Sequence, residues 1–296
     1  MSLSTDADSS EETPHLLSPR RHLLFVGRRG LVASTVSTAV VLVVIIALLY
    51  FAPGGVRVRA SYFNFHDMWV AWNGDPSKGI LAIRDGIWTN VWMFLVSEVL
   101  VLVFGLALAW TRISKSPVLL PFRVLATAYS DIFRGVPVLL VMFLVGFGLP
   151  ALYSNLATVP PPVFGVITLT LSYSAYVSEV FRAGILSVPN GQLLAARSLG
   201  LTQSSTMRRV ILPQAVRTVI PPLLNDFISL QKDTVLVSVI GGVEIARSAQ
   251  IYQSTVFNES GLVLAAGFFL LLTIPMTRMT DRLIARDRER RLAAAR

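Results

Sequence analysis

Six polar or ionisable side chains stand within long apolar stretches of this sequence. They are Glu98, Glu179, Asn225, Asp226, Lys232 and Asp233. Charged side chains at membrane depth are rare, and they usually face the interior of a helix bundle or a water-filled cavity, where they mark substrate or ion paths. From this set and its polar neighbour we select Glu179, Asn225, Lys232 and Thr234 as candidates for lining a path through the membrane.

The same side chains also have a purely structural interpretation. Arg182 follows Glu179 by three residues, a spacing at which the two can form an ion pair on one face of a helix. Lys232 and Asp233 follow Asp226 by six and seven residues, so the three could form a buried network on one side of a helix. Glu98 is expected to form an interhelical hydrogen bond. The sequence leaves the structural and the transport interpretations open.

A second segment, residues 187–213, is basic and lies between two apolar runs, so it cannot be embedded in lipid. Asn190 is a residue type that caps helix starts, and Gly200 is the type that ends helices in the left-handed conformation. The two signals enclose a helix of about three turns, or ~14 Å. Such a short helix is marginal alone in water, so we expect it to pack against a partner surface.

The composition describes a membrane protein. Hydrophobic residues make up 53% of the 296 residues and charged residues 15%, and the mean hydropathy is +0.63. A net charge of +9 would favour nucleic-acid binding in a soluble domain, but in a membrane protein basic residues first serve topology. The chain has no cysteine, which excludes disulfides and thiolate metal sites. We therefore predict an all-α, polytopic membrane helical bundle.

Apolar runs divide the chain into about six predicted transmembrane helices. We expect a disordered tail (1–30), an N-terminal anchor (31–52), an external loop (53–85), a main domain (86–280) and a basic tail (281–296). The predicted spans are 31–51, 86–110, 136–153, 160–186, 218–240 and 261–277. Residues 118–134 are ambiguous and are interpreted as an interfacial or partly inserted helix.

The distribution of basic residues predicts the orientation. With the N-terminus in the cytoplasm, the inner segments hold 20 of the 26 lysines and arginines and the outer loops hold 5. This bias follows the positive-inside rule and predicts that both termini and the 187–213 segment are cytoplasmic. The arginine-rich tail is expected to contact anionic membrane lipids.

Short motifs in the chain resemble one family of transport proteins. Ala195, Ala196 and Gly200, followed by VILP at 210–213, are similar to the EAA loop of the permease subunits of bacterial ABC importers. Leu194 stands where that family usually has glutamate. The flanking motifs resemble the polar amino acid permease branch: FRGVP (133–137), YVSEVFRAGI (176–185), PNGQ (189–192), LPQA (212–215), Asn225 and KDT (232–234).

The resemblance implies an importer whose permease docks on a cytoplasmic ABC ATPase dimer through the loop. The residues expected to make this contact are Gly191, Gln192, Ala195, Ala196, Leu199 and Gly200. It also implies a second permease subunit of the same or a related chain, and an extracytoplasmic binding protein that delivers a polar amino acid such as glutamate, glutamine, arginine or histidine. In the path, Asn225 and Lys232 would meet the substrate carboxylate and Glu179 its ammonium group.

Other functions are weighed against this one. The chain has no P-loop for nucleotide phosphates, and none of the common hydrolase or zinc-site motifs, so we expect neither an enzyme nor a cofactor, metal or nucleic-acid binding. An ion-coupled secondary transporter or channel is the alternative, for which the loop would be a simple connector. A membrane scaffold would show no flux that depends on substrate.

Overall fold

The computed structural model describes residues 28–294, so nearly all of the predicted tail 1–30 lies outside the described residues. Within them the secondary structure is helical, apart from one isolated bridge between Asp75 and Ile80. The helices are α1 (Arg28–Phe51), α2 (Gly55–Tyr62), α3 (Phe65–Asn73), α4 (Ile83–Ile113), α5 (Leu120–Gly135), α6 (Val138–Leu152), α7 (Pro161–Leu186), α8 (Asn190–Ser198), α9 (Gln203–Thr206), α10 (Leu212–Asp233), α11 (Ile245–Val256) and α12 (Ser260–Ala294).

Among the described residues, three helical segments are long and apolar enough to cross a membrane. They are Ile83–Ile113, Pro161–Leu186 and Ser260–Arg286. Two bent pairs raise the count to five if each pair is one span, and Ser34–Leu48 within α1 is a shorter apolar helix. The chain is therefore a multi-pass all-α membrane bundle, and the count of about six spans stays a prediction.

The segment 118–134, which the sequence left ambiguous, lies mostly within the amphipathic helix α5. It meets α6 at an angle of 106° across Val136 and Pro137. Proline at 137 has no N–H to continue the α5 hydrogen-bond ladder, and it disfavours the helical conformation for Val136, which is extended. The break thus follows from the local sequence.

The core of residues 59–294 lies between α4 and α7, which form the largest helix–helix contact. Their close approach depends on small residues, as is usual where helices pack in membranes. A methyl group at Gly105 of α4 would lie 2.7 Å from Val177 Cγ1 of α7. Leu169 and Val177 of α7 and Met93 of α4 are fully or almost fully buried in this core.

The predicted external loop 53–85 contains two helices, α2 and α3, rather than irregular backbone. The Asp67 carboxylate of α3 accepts hydrogen bonds from Tyr252 Oη (2.9 Å) and Asn258 Nδ2 (2.8 Å). These bonds fix α3 against α11 and against the turn between α11 and α12. In the following turn, hydrogen bonds from Ser77 and the adjacent Lys78 ammonium hold the pKa of Asp75 below its usual value.

The predicted external segment 241–260 also contains a helix that was not expected, α11. The fifth predicted span, 218–240, continues from α10 through a 3-10 turn, Thr234–Ile240, and ends at Gly241, whose φ of 86° is left-handed. Glu244 then caps α11 by accepting hydrogen bonds from the backbone N–H groups of Ala246 and Arg247. Ile245, Ala249 and Tyr252 bury one side of this helix.

Candidate substrate cavity and coupling helix

A cavity of about 380 Å³ lies between α6, α7 and α10. It is lined by Val138, Tyr173, Tyr176, Asp226, Ser229, Lys232 and Asp233. Tyr173 and Tyr176 are three residues apart on α7, and the four α10 residues follow the same three- and four-residue spacing. Helical periodicity therefore brings their side chains to one face of each helix. Two tyrosines, two carboxylates and one ammonium group converge there.

The two carboxylates of the cavity differ in their hydrogen bonding. Asp233 Oδ2 accepts a hydrogen bond from Tyr173 Oη at 2.8 Å, which fixes both side chains. Asp226 Oδ2 is buried and has no hydrogen-bond partner among the described residues. A buried carboxylate oxygen without a donor is costly, so a donor supplied by a bound molecule would stabilise it.

Lys232 is the one sequence-selected path residue that lines this cavity. Asn225 is exposed and is not among the lining residues, and Glu179 and Thr234 belong to other clusters. Asp226 and Asp233 were noted in the sequence but not chosen for the path, whereas Tyr173 and Ser229 were missed. The three- and four-residue spacing of polar residues on α7 and α10 could have identified them from the sequence.

Glu179 lies at the centre of an arginine cluster. Its carboxylate forms ion pairs with Arg182 at the predicted three-residue spacing, with Arg112 of α4 (3.1 Å) and with Arg134 of α5 (3.8 Å). Arg112 also reaches the hydroxyl groups of Ser130 (3.4 Å) and Ser178 (3.3 Å). The structural interpretation of Glu179 fits this geometry better than contact with a substrate ammonium group.

Thr234 belongs to a buried polar cluster that holds the junction between α10 and α11. Its hydroxyl accepts a hydrogen bond from Asn90 Nδ2 (2.9 Å) and donates one to the Gln231 carbonyl (2.8 Å). Asn90 Nδ2 also lies 3.3 Å from Glu244 Oε2, and Asn90 Oδ1 accepts from the Ile245 N–H. Glu98, expected to join such a network, is half-buried on α4 and has no hydrogen bond to another described residue.

The predicted short helix in the 187–213 segment is α8, Asn190–Ser198. Its end is as expected: Gly200 has a φ of 79°, and the N–H groups of Gly200 and Leu201 bond back to the carbonyls of Arg197 and Ala196. Its start differs from the prediction, because Pro189 occupies the cap position and Asn190 is the first residue of the helix. No side chain forms a capping hydrogen bond there.

One side of α8 packs on its own chain. Leu193 contacts a cluster of Val188, Ile211 and Ala215, and Ala196, three residues further along the helix, is only 5% exposed. The side chain of Ala196 thus packs against its own chain, and its contact with an ATPase stays a prediction. Gln192 is exposed but accepts a hydrogen bond from Gln214 of α10, which ties α8 to the next long helix.

The opposite side of α8 is open. Gly191, Leu194, Ala195 and Gly200 are exposed, with Leu194 at 63%, and Leu199 at the end of the helix is 84% exposed. Leu194 takes the position of the family glutamate, so the surface here is more apolar than the resemblance would give. We refer to Gly191, Leu194, Ala195, Leu199 and Gly200 as the outer surface of α8.

Comparison with known proteins identifies the family. Residues 101–289 match the family described as binding-protein-dependent transport system inner membrane component. The chain belongs to this family. It is accordingly the membrane-embedded permease component of an ABC transporter, which is a non-catalytic subunit. The motifs in residues 187–213 and the lack of a P-loop in the sequence predicted this role.

Curated relatives of this permease are named as amino acid transport components. It is 37% identical over 199 residues to the probable glutamine ABC transporter permease protein GlnM of Bacillus subtilis (strain 168), covering 65% of this chain and 87% of the relative. It is also 40% identical over 168 residues to the L-cystine transport system permease protein TcyB of the same organism, covering 57% and 69%. The resemblance to amino acid permeases is thereby confirmed.

Solved structures agree with this fold. A chain from the crystal structure of an amino acid ABC transporter with histidines is 31% identical and superimposes with a TM-score of 0.60, covering 69% of this permease and 93% of that chain. A chain of the inward-facing MetNI methionine ABC transporter has a TM-score of 0.57 at 18% identity, covering 72% and 99%, which supports the fold alone. The family match begins at residue 101, so α1 to α3 precede it.

Proposed function

We propose that this permease imports a polar amino acid across the bacterial plasma membrane, coupled to a separate ATPase through the 187–213 segment. The observation that carries the proposal is the cavity between α6, α7 and α10. Its volume of about 380 Å³ suits a small ligand, and it contains both acidic and basic groups. An amino acid zwitterion needs groups of both kinds.

In this proposal Lys232 binds the substrate carboxylate and Asp226 accepts the substrate ammonium group. Lys232 is the only cation among the residues that line the cavity, and the unpartnered Oδ2 of Asp226 gains the donor that it lacks. Asp233 is held by Tyr173 and bounds the rest of the site. Glu179 and Thr234, candidates from the sequence, support the surrounding helices instead.

The charge of the cavity favours some amino acids over others. Two carboxylates and one ammonium group leave an excess of one negative charge when all are ionised. Desolvated like charges repel strongly, so glutamate is disfavoured relative to glutamine, histidine or arginine. The names of the relatives, which include glutamine and L-cystine permeases, are in line with an amino acid whose net charge is not negative.

The proposed partners follow from the family and from the open surfaces. An ABC ATPase dimer would contact the outer surface of α8, a second permease subunit would complete the central path, and an extracytoplasmic binding protein would deliver the amino acid. Alternating access, driven by ATP binding and hydrolysis in the ATPase dimer, would open the path first outward and then inward. Both termini would lie in the cytoplasm.

The test is uptake by proteoliposomes that contain the permease, its ATPase and its binding protein, supplied with a panel of labelled amino acids. Asp226→Asn and Lys232→Met should reduce uptake while assembly and basal ATP hydrolysis persist, and Asp281→Asn, which removes an exposed carboxylate of α12, is the matched control. Uptake that proceeds without any ATPase would favour the ion-coupled alternative. Unchanged uptake in both cavity variants would remove the cavity from the path.

A further inference from the structure

A second cavity, of about 510 Å³, lies where the carboxyl-terminal ends of α4 and α7 meet α5. It shares no lining residue with the substrate cavity. Three guanidinium groups from three different helices line it, those of Arg112, Arg123 and Arg182. Such convergence is expensive in the absence of an anion, because like charges repel where water is partly excluded.

Internal ion pairs do not neutralise this cavity. Glu179 pairs with Arg112, Arg182 and Arg134, and Asp131 is the other carboxylate that lines or adjoins the cavity. Four arginines and two carboxylates leave an excess of two positive charges. Arg123 Nη1 donates one hydrogen bond, to the Ser114 carbonyl at 3.0 Å, so most of its five N–H donors remain available.

The three arginines are oriented by contacts within the chain, unlike flexible surface cations: Arg182 pairs with Glu179, and Arg123 donates to the Ser114 carbonyl. The side chain of Arg112 is only 9% exposed and is oriented by Glu179, Ser130 and Ser178. Guanidinium groups fixed in this way match the geometry of phosphate oxygens, which accept paired hydrogen bonds from arginine. The cavity therefore suits a phosphate group.

Apolar side chains continue from the cavity along α5. Val124 lines the cavity and is 59% exposed, and Phe122 and Leu125 beside it are also exposed. A ligand that fits both parts is amphiphilic, with a phosphate at the arginines and a hydrocarbon chain on the apolar face of α5. The exposed carboxylate of Asp131 adds an acceptor for a hydroxyl group of the ligand.

We propose that this cavity binds the headgroup of an anionic glycerophospholipid whose phosphodiester carries a hydroxylated group, such as phosphatidylglycerol. The lipid belongs to the leaflet that contacts the carboxyl-terminal ends of α4 and α7. Its phosphate accepts hydrogen bonds from Arg123 and Arg182, and its acyl chains lie along α5. Binding links α4, α5 and α7 at the Glu179 cluster and stabilises that end of the bundle.

The experiment uses the full purified chain in detergent and follows its melting temperature during titration with short-chain phosphatidylglycerol, short-chain phosphatidylcholine or inorganic phosphate. Phosphatidylglycerol should raise the melting temperature with saturation, and the other two probes should not. Arg123→Gln should raise the half-saturating concentration of phosphatidylglycerol about fivefold. This change corresponds to a loss of roughly 1 kcal/mol of binding free energy per basic residue. Arg123→Lys, which keeps the charge, should lie in between.

Arg208→Gln is the matched control, because it removes the same charge from an exposed position that does not line the cavity. Its titration should equal that of the wild-type chain. Equal stabilisation by phosphatidylcholine, full stabilisation by inorganic phosphate alone, or identical curves for Arg123→Gln and Arg208→Gln would each overturn the proposal. If Arg123→Gln does not fold, the comparison between Arg123→Lys and Arg208→Gln decides in the same way.

Discussion

The carboxylate of Glu179 is shared by three guanidinium groups, so little of its accepting capacity remains for a substrate. Sequence spacing predicted the pair with Arg182 because both residues lie on one helix. It could not predict Arg112 and Arg134, which come from α4 and α5 and meet Glu179 only through tertiary packing. The same limit applies to the substrate cavity, where Tyr173 of α7 meets Asp233 of α10.

Removing the charge of Glu179 should destabilise the fold. Glu179→Gln leaves Arg112, Arg134 and Arg182 without their shared anion, and breaking a buried ion pair costs about 3 to 5 kcal/mol. Because the Glu179 side chain is still 23% exposed, we expect a loss of about 2 kcal/mol, seen as a lower melting temperature of the purified chain.

The control for this variant is Glu289→Gln, which changes an exposed residue of α12 and should leave the melting temperature unchanged. A Glu179→Gln chain with the wild-type melting temperature but without uptake would contradict the structural role. Such a result would favour direct contact between Glu179 and the substrate.

At the scale of elements, long apolar helices were predictable and short ones were not. α4, α7 and α12 have apolar runs long enough to be recognised without any partner. α11 was missed because the apolar residues that bury one side of it, Ile245, Ala249 and Tyr252, are few, and most of its remaining residues are polar. Its position depends on the cluster of Asn90, Thr234 and Glu244. Asn90 is more than 140 residues from the other two in the sequence.

Gly86 tests the contact between α4 and the start of α11. A methyl group at Gly86 would lie 2.6 Å from backbone atoms of Glu244 and Ile245, which cannot move aside like a side chain. Gly86→Ala should lower the melting temperature, since overpacking costs about 1 to 3 kcal/mol against roughly 1 kcal/mol gained in helix propensity. Gly148→Ala, with nothing within 4 Å, is the control, and equal stability of both variants would contradict the tight contact.

The outer surface of α8 tests coupling. Leu199→Asp and Ala195→Asp alter exposed positions, so the chain should fold normally but lose ATPase binding, because an unpaired charge buried in a contact costs several kcal/mol. Ala196→Asp should behave differently and lower the stability of the chain itself, since Ala196 is already buried. Melting temperature and co-purification with the ATPase separate the two classes. Normal ATPase binding by Leu199→Asp and Ala195→Asp would mean that the loop is only a connector.

At the scale of the whole molecule, the fold depends both on properties of the whole chain and on contacts between residues that are distant in the sequence. Composition correctly predicted the membrane class, and the charge count predicts a topology that stays a prediction, because both depend on the sequence of the chain alone. They could not predict α3 or the hydrogen bonds that Asp67 accepts from Tyr252 and Asn258, since Asp67 is about 190 positions from these donors and none of the three lies in a long apolar run. The family resemblance did not help there, because the family match starts at residue 101.

Topology can be measured directly because the chain contains no cysteine. A maleimide will therefore label only the single cysteine that is introduced into the chain. Ser77 and Asn155 lie in short 3-10 turns and Ser204 in the four-residue helix α9. All three are exposed, so a cysteine there should react with a maleimide without disturbing the fold. With both termini in the cytoplasm, cysteines at Ser77 and Asn155 should react with an impermeant maleimide in intact cells. A cysteine at Ser204 should react only after permeabilisation, as should cysteines at Ser10 and Ala294 near the termini. Labelling at Ser204 in intact cells would place α8 on the outer side, where no ATPase could reach it, and would overturn both the orientation and the proposed coupling.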